Sequence, residues 1–204
     1  ARVDPDSVSE NNVSVTPPSV LHDGLRKAAK TYGDRDAVLA GDVQFSYRHL
    51  DDASDRLAGS FAARIRPGDR VALMMTNRPE FVVVVNALSK LGAASVLLSP
   101  AWKQREVDHA LALTGARLAF ADGVALDLLR NQLGDQVIDL DGDQYDEAVS
   151  ADGGDLSVTV GPDDEAVLVF SSGTTGLPKA VRHTHASICH GMQQGSEALG
   201  LTDE

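Results

Sequence analysis

Residues 171 to 179 read Ser171-Ser172-Gly173-Thr174-Thr175-Gly176-Leu177-Pro178-Lys179. Glycine lets a backbone turn sharply and approach a ligand, so successive N–H groups can converge on one anion. The hydroxyls of Ser171, Ser172, Thr174 and Thr175 add donors for phosphate oxygens and acceptors for a hard cation such as Mg²⁺. Lys179 adds a mobile positive charge at a reach that suits a terminal phosphate. Such a set can cradle a polyphosphate, although its composition alone is equally that of a surface turn. It is not a Walker A loop, because the Gly-x-x-x-x-Gly-Lys-Ser/Thr spacing is absent.

The preceding residues favour the ligand reading. Ala166-Val167-Leu168-Val169-Phe170 is a short apolar, β-branched run that predicts a buried strand. A loop at the end of such a strand is where α/β proteins place ligands. Upstream, apolar spacing predicts a helix over 19–32 ended by Gly33 and two short strands at 37–40 and 43–45 turned by Gly41-Asp42. It further predicts a helix capped by Ser46 and running to about Arg64. A strand at 70–75 follows, then a helix with Asn77 as cap and Pro79 in its first turn. Phe81 to Val85 have strand propensity, but Leu88 and Leu91 extend one apolar face to Gly92, so this segment is read as helix. Strands at 93–98, 118–121 and 137–140 alternate with helices at 104–114 and 125–133. This alternation predicts an α/β fold with a largely parallel sheet. Residues 141–164, acidic and Gly-rich, read as a surface connection, and a helix capped by Thr184 or His185 is expected over 186–199. Residues 1–18 read as a flexible N-terminal arm.

Composition narrows the function classes. The chain has 204 residues, with 43% hydrophobic and 24% charged residues, which describes an ordinary globular protein. A net charge of −12 with no basic cluster argues against a nucleic-acid surface. No apolar run approaches the ~20 residues needed to cross a bilayer, so no transmembrane segment is expected. The single cysteine, Cys189, excludes an intrachain disulfide and fits a reducing, cytoplasmic setting. His183 and His185, a His-x-His pair with His190 following, suggest a metal, but carboxylates or a third ligand at suitable spacing are missing, and capping or packing is the simpler role. Trp102, the only tryptophan, reads as a core or surface anchor.

The nine residues from Ser171 to Lys179 closely resemble the phosphate-loop signature of the adenylate-forming (AMP-binding) superfamily, which includes acyl-CoA synthetases, aryl-CoA ligases, fatty acyl-AMP ligases, peptide-synthetase adenylation domains and luciferases. Ala180 stands where that family usually has Gly, a change tolerable if the local φ is negative. Two further blocks, FSYRHL (45–50) and GDRVALMMTNRPEFVVVVNALSKLGAASVLLSP (68–100), are similar to family blocks and come in family order.

The resemblance implies ATP-dependent activation of a carboxylic acid, a fatty acid first, to acyl-AMP with loss of pyrophosphate, then transfer to CoA. The alternative acceptor is an acyl carrier protein. It assigns Ser171, Ser172, Gly173, Thr174, Thr175 and Lys179 to the ATP phosphates and Mg²⁺, with Thr174 toward the metal and Lys179 the catalytic cation. Gly176 belongs to the same cofactor-binding loop, which it shapes together with Pro178. The family's adenine, ribose, hinge and C-terminal lysine motifs do not follow. Residues 19–204 are therefore expected to be the N-terminal part of an adenylation domain, inactive alone. A non-catalytic nucleotide-binding module is the other reading of these residues.

Overall fold

The computed structural model describes residues 19–154, 156–171 and 176–201. Its centre is a six-stranded sheet ordered β6-β5-β3-β4-β7-β8, from β3 (Arg70–Met74), β4 (Ala94–Leu97), β5 (Leu118–Ala121), β6 (Val137–Asp139), β7 (Glu165–Ser171) and β8 (Lys179–Thr184). All neighbours are parallel except β7 and β8, which form an antiparallel hairpin at one edge. A separate antiparallel pair, β1 (Asp36–Ala40) and β2 (Val43–Ser46), precedes it.

Side-chain alternation along the strands builds two cores. Val71 and Leu73 of β3, with Phe120 of β5, face a layer formed by α2 (Tyr47–Phe61), α3 (Glu80–Lys90) and α6 (Asp143–Ser150). Ala72 and Met74, with Val96 of β4, face α4 (Gln104–Thr114) and α5 (Ala125–Leu133). Helices thus cover both faces, as a mainly parallel sheet requires. The valine-rich helix α3 forms because it is enclosed: Val83, Val84, Ala87 and Leu88 are all buried between α2 and the sheet, and burial outweighs strand propensity.

Several expectations need correction. Asn77 does not cap α3, which has no side-chain cap; the chain enters through Pro79, whose carbonyl accepts from Val82 N at 3.0 Å. The segment 141–164 contains helix α6, whose Tyr145 and Ala148 are buried while Asp143 and Asp146 suit its N-terminal turn. Its apolar signal, Tyr145 with Ala148 and Val149, is too brief for a periodicity argument. Arg56 Nε and Ser60 Oγ of α2 donate to the carbonyls of Val149 and Ala148 and dock its end. Past α6 the chain crosses α2 at Gly59, where a Cβ would collide with the backbone of Gly154. Strand β8 also goes beyond the sequence expectation, being an edge strand with charged Lys179 and Arg182. The arm at 1–18 lies outside the described residues.

Two buried polar groups fix the helical layer. Lys90, whose side chain is 1% exposed, donates from Nζ to Asp51 Oδ1 (2.6 Å), Ser54 Oγ (2.7 Å) and the Asp51 carbonyl (3.1 Å), and pairs with Asp55 at 2.7 Å. Every proton of the ammonium therefore has an acceptor on α2. Lys90→Ala would strand Asp51 without its cation, and denaturant unfolding is expected to show a loss of about 3 kcal/mol. A loss below about 1 kcal/mol would show that the network does not hold α2 to α3.

His22, on α1 (Leu21–Tyr32), is buried, hydrogen-bonded at 2.8 Å between Nδ1 and Ser89 Oγ, and held neutral chiefly by desolvation, its pKa lowered to about 4. The unfolded chain takes up a proton near pH 6.5 that the folded chain refuses until about pH 4. Stability is therefore complete above pH 6.5 and falls as pH drops from 6.5 toward 4. His22→Gln should flatten this part of the profile of thermal midpoint against pH; parallel profiles for the two proteins would remove His22 from the effect.

Candidate functional site

Strand β7 runs into the Ser/Gly/Thr loop and β8 leaves it, so the loop closes a hairpin. Ser171 pairs with Lys179, Phe170 with Ala180 and Val169 with Val181. Cross-strand partners share a face of a sheet, so the Ser171 hydroxyl and the Lys179 stem are neighbours. Both residues are exposed, at the carboxyl end of β7 beside β4. Gly176 has φ +106, and a Cβ placed there would meet nothing within 4 Å, so glycine is needed for conformation and not for space. Ser172, Gly173, Thr174 (with its expected metal role) and Thr175 lie outside the described residues. Of the expected site residues, the structure thus brings together Ser171, Gly176 and Lys179.

The departure at Ala180 is explained by packing. Among the described residues positive φ occurs only at glycines, and Ala180 is part-buried against the core under α4 with Phe170. Its methyl adds apolar contact at no backbone cost.

Beside the hairpin lies an open cleft of about 530 Å³, walled by Ser99, Trp102 and Lys103 on one side and by Phe170, Ser171 and Pro178 on the other. Trp102 meets Phe170 edge to face, with centroids 5.1 Å apart and planes at 81°. The tryptophan is therefore an anchor, and one placed against the loop strand. His109 Nε2 lies 3.0 Å from the Pro178 carbonyl. Nothing in the sequence marks His109; its only signal is a place on α4, the helix after β4. Glu106 Oε2 accepts from Lys103 N at 3.1 Å and caps α4, placing a carboxylate beside the lysine.

Across β4, the carboxyl ends of β3 and β5 are pinned by charge. Asp122 accepts from Thr76 N (3.1 Å) and Thr76 Oγ1 (2.6 Å), and Arg78 reaches Asp122 (3.4 Å), Asp141 (2.9 Å) and Glu80 (2.9 Å). The hydrogen bond from Arg78 holds the Glu80 carboxyl below its usual range and, with Glu80 as main partner, raises the Arg78 pKa. At the opposite edge, Arg70 binds Glu165 through Nε (2.5 Å) and Nη2 (2.9 Å) and so ties the base of β7 to the start of β3.

Of the histidines after the loop, His185 has a structural role. Thr184 Oγ1 accepts from Ser187 N at 3.2 Å and caps α7 (His185–Leu199). His185 is fully buried, and its Nδ1 accepts from Leu21 N at 3.1 Å, which caps α1 from a distant part of the chain. Burial lowers its pKa, in keeping with a neutral ring. Among the described residues no group of three His, Cys, Asp or Glu could hold a metal ion. Cys189 is buried, and burial pushes its thiol up, away from thiolate chemistry. No helix among the described residues is long and apolar enough to cross a membrane.

Comparison with known proteins agrees with this geometry. Triostin synthetase I of Streptomyces triostinicus is 34% identical over 195 residues, covering 91% of this chain and 36% of that protein. The 3-hydroxybenzoate–CoA/4-hydroxybenzoate–CoA ligase of Thauera aromatica is 32% identical over 191 residues, covering 86% and 36%. The apo structure of MbtA from Mycobacterium smegmatis superposes with a TM-score of 0.82 at 29% identity, covering 91% of this chain and 37% of that one. The chain thus spans about a third of the length of these relatives. The family described as AMP-binding enzyme matches residues 25–203, which includes the whole central sheet and the loop hairpin. The chain belongs to the AMP-binding enzyme family.

Proposed function

We propose that the protein activates a carboxylic acid with ATP, forming an acyl-adenylate and releasing pyrophosphate, and then passes the acyl group to a thiol with release of AMP. The observation that carries this reading is the pairing of Ser171 with Lys179 at the carboxyl end of β7, where an α/β sheet presents its ligands. In the first step a carboxylate oxygen bonds to the α-phosphorus as the bond to the pyrophosphate oxygen breaks. Negative charge then builds on the departing β- and γ-phosphates, where a hydroxyl donor and a mobile cation are of most use. Lys179 would stabilise that charge, Ser171 would donate to a phosphate oxygen, and Gly176 would hold the turn that aims the loop. Bound Mg²⁺ would neutralise the polyphosphate, and the oxygen-rich loop, with Thr174 as the ligand read from sequence, suits so hard a cation.

We read residues 19–204 as the N-terminal part of an adenylation domain, preceded by an arm at 1–18, working in the cytoplasm. The match over 25–203 and the coverage of about a third of each relative support this division. CoA is our first choice of acceptor, supported by likeness to the hydroxybenzoate–CoA ligase. A carrier-protein thiol is the second reading, favoured by likeness to Triostin synthetase I. Fatty acids stand first among the acids because His183-Thr184-His185 resembles acyl-CoA synthetases somewhat more than peptide-synthetase domains. Yet His185 serves here to cap α1, which carries no substrate information.

The test is acid-dependent pyrophosphate exchange into ATP by the full-length protein, with panels of fatty, aryl and amino acids. At least one class is expected to support exchange, and Lys179→Ala should slow it at least ~10-fold, about 1.4 kcal/mol of lost transition-state stabilisation. Exchange by the variant at the wild-type rate under sub-saturating ATP would remove Lys179 from the mechanism. Failure of every acid would contradict adenylation itself.

A further inference from the structure

We propose that helix α4 braces both stems of the phosphate loop, and that His109 is a positioning residue for the phosphate site. The inference rests on the reading that the loop binds polyphosphate. The loop leaves the sheet after Phe170-Ser171 and returns through Pro178-Lys179, and each stem meets the same helical segment. On the outgoing side, Trp102, two residues before α4, packs edge to face on Phe170. On the returning side, His109, in the second turn of α4, reaches the Pro178 carbonyl at 3.0 Å. Ala180, one residue beyond Lys179, packs into the core beneath α4.

The chemistry of the His109 contact is determined by its partner. A carbonyl oxygen only accepts, so the imidazole must carry its proton on Nε2 and donate. The peptide joining Pro178 to Lys179 is planar, so fixing this carbonyl fixes the plane from which Lys179 starts. Proline itself offers no N–H, and its carbonyl is the one backbone hydrogen-bonding group it can be held by. Lys179 is a long, exposed side chain on an edge strand, and anchoring its backbone restricts where its ammonium can reach.

A brace must be stiffer than what it holds, and α4 is fixed on its other side. Its own Val107 and Ala110 are fully buried in the core that it shares with the sheet. Gln104 Nε2 donates to the Leu128 carbonyl at 3.0 Å, and Asn131 Nδ2 donates back to Gln104 Oε1 at 2.8 Å, which locks α4 to α5. By contrast, Gly176 stands at φ +106, and a Cβ placed there would meet nothing within 4 Å. The two stems are therefore held from outside, through Phe170 and Pro178.

The experiment compares wild type, His109→Ala and His109→Gln in the full-length protein, the Gln side-chain amide being able to donate to the same carbonyl. Hydrogen exchange of the Lys179–Val181 amides, measured without nucleotide, should quicken in His109→Ala and return toward wild type in His109→Gln. In pyrophosphate exchange, the KM for ATP should rise about threefold to tenfold in His109→Ala, the size expected of one neutral hydrogen bond, with the KM for the acid unchanged and the defect largely rescued by Gln. Unchanged amide exchange, an unchanged KM for ATP in an active variant, or a Gln variant no better than Ala would overturn the brace. A wild-type protein that exchanges no pyrophosphate while its amides respond as expected would sink the functional reading and leave the brace standing.

Discussion

The ladder between β7 and β8 is the constraint on which the site depends. It sets Lys179 opposite Ser171 across a seven-residue connection, and without it the cation and the hydroxyl would belong to a loop with no fixed mouth. The ladder is itself held by its neighbours. β7 pairs with β4 in the parallel sheet, and the Arg70–Glu165 fork ties its first residue to the start of β3. The two faces of the hairpin then divide the work. Leu168, Phe170 and Ala180 face α4 and supply burial, while Ser171 and Lys179 occupy the alternate positions and stay open to solvent. A single-residue slip in register would exchange these faces and bury the lysine.

On the proposed function the scaffold needs a rigid strand end more than a rigid loop, because pyrophosphate would also have to leave. Rigidity here is built by different means on the two sides of β4. Under the loop it comes from apolar packing on α4 and the Trp102–Phe170 contact. Beyond β4 it comes from the Arg78 cluster joining the ends of β3, β5 and β6. The buried ionic contact of Lys90 and the distant cap given by His185 to α1 belong to the layer behind, which holds α1, α2 and α3 together against the sheet.

The parallel part of the fold is legible in the sequence because each strand and helix carries its own period. The helices at 104–114 and 125–133 and the strand at 118–121 lie where apolar spacing puts them, and Ser46 and Thr184 cap as their types suggest. The misses share one cause, which is that their stability comes from elsewhere in the chain. Helix α6 is held by Arg56 and Ser60 of α2, and β8 by pairing with β7, so neither needs a strong local pattern. The cap of α1 is likewise invisible locally, since its acceptor is His185, far along the sequence. In the site, Ser171, Gly176 and Lys179 are readable from types and spacing. The placement of Trp102 and His109 is not, because their meaning is a distance to Phe170 and Pro178 that only the fold creates.

The central claim is that the hairpin mouth binds polyphosphate through Lys179. It is tested most directly by phosphorus NMR titration of inorganic tripolyphosphate, a probe with no adenine, ribose or acyl group, into wild type and Lys179→Ala. Wild type should give a saturable shift that is lost or much weakened in the variant, at equal thermal midpoint. Saturable binding that is indifferent to Lys179, or none to the wild type, would contradict it.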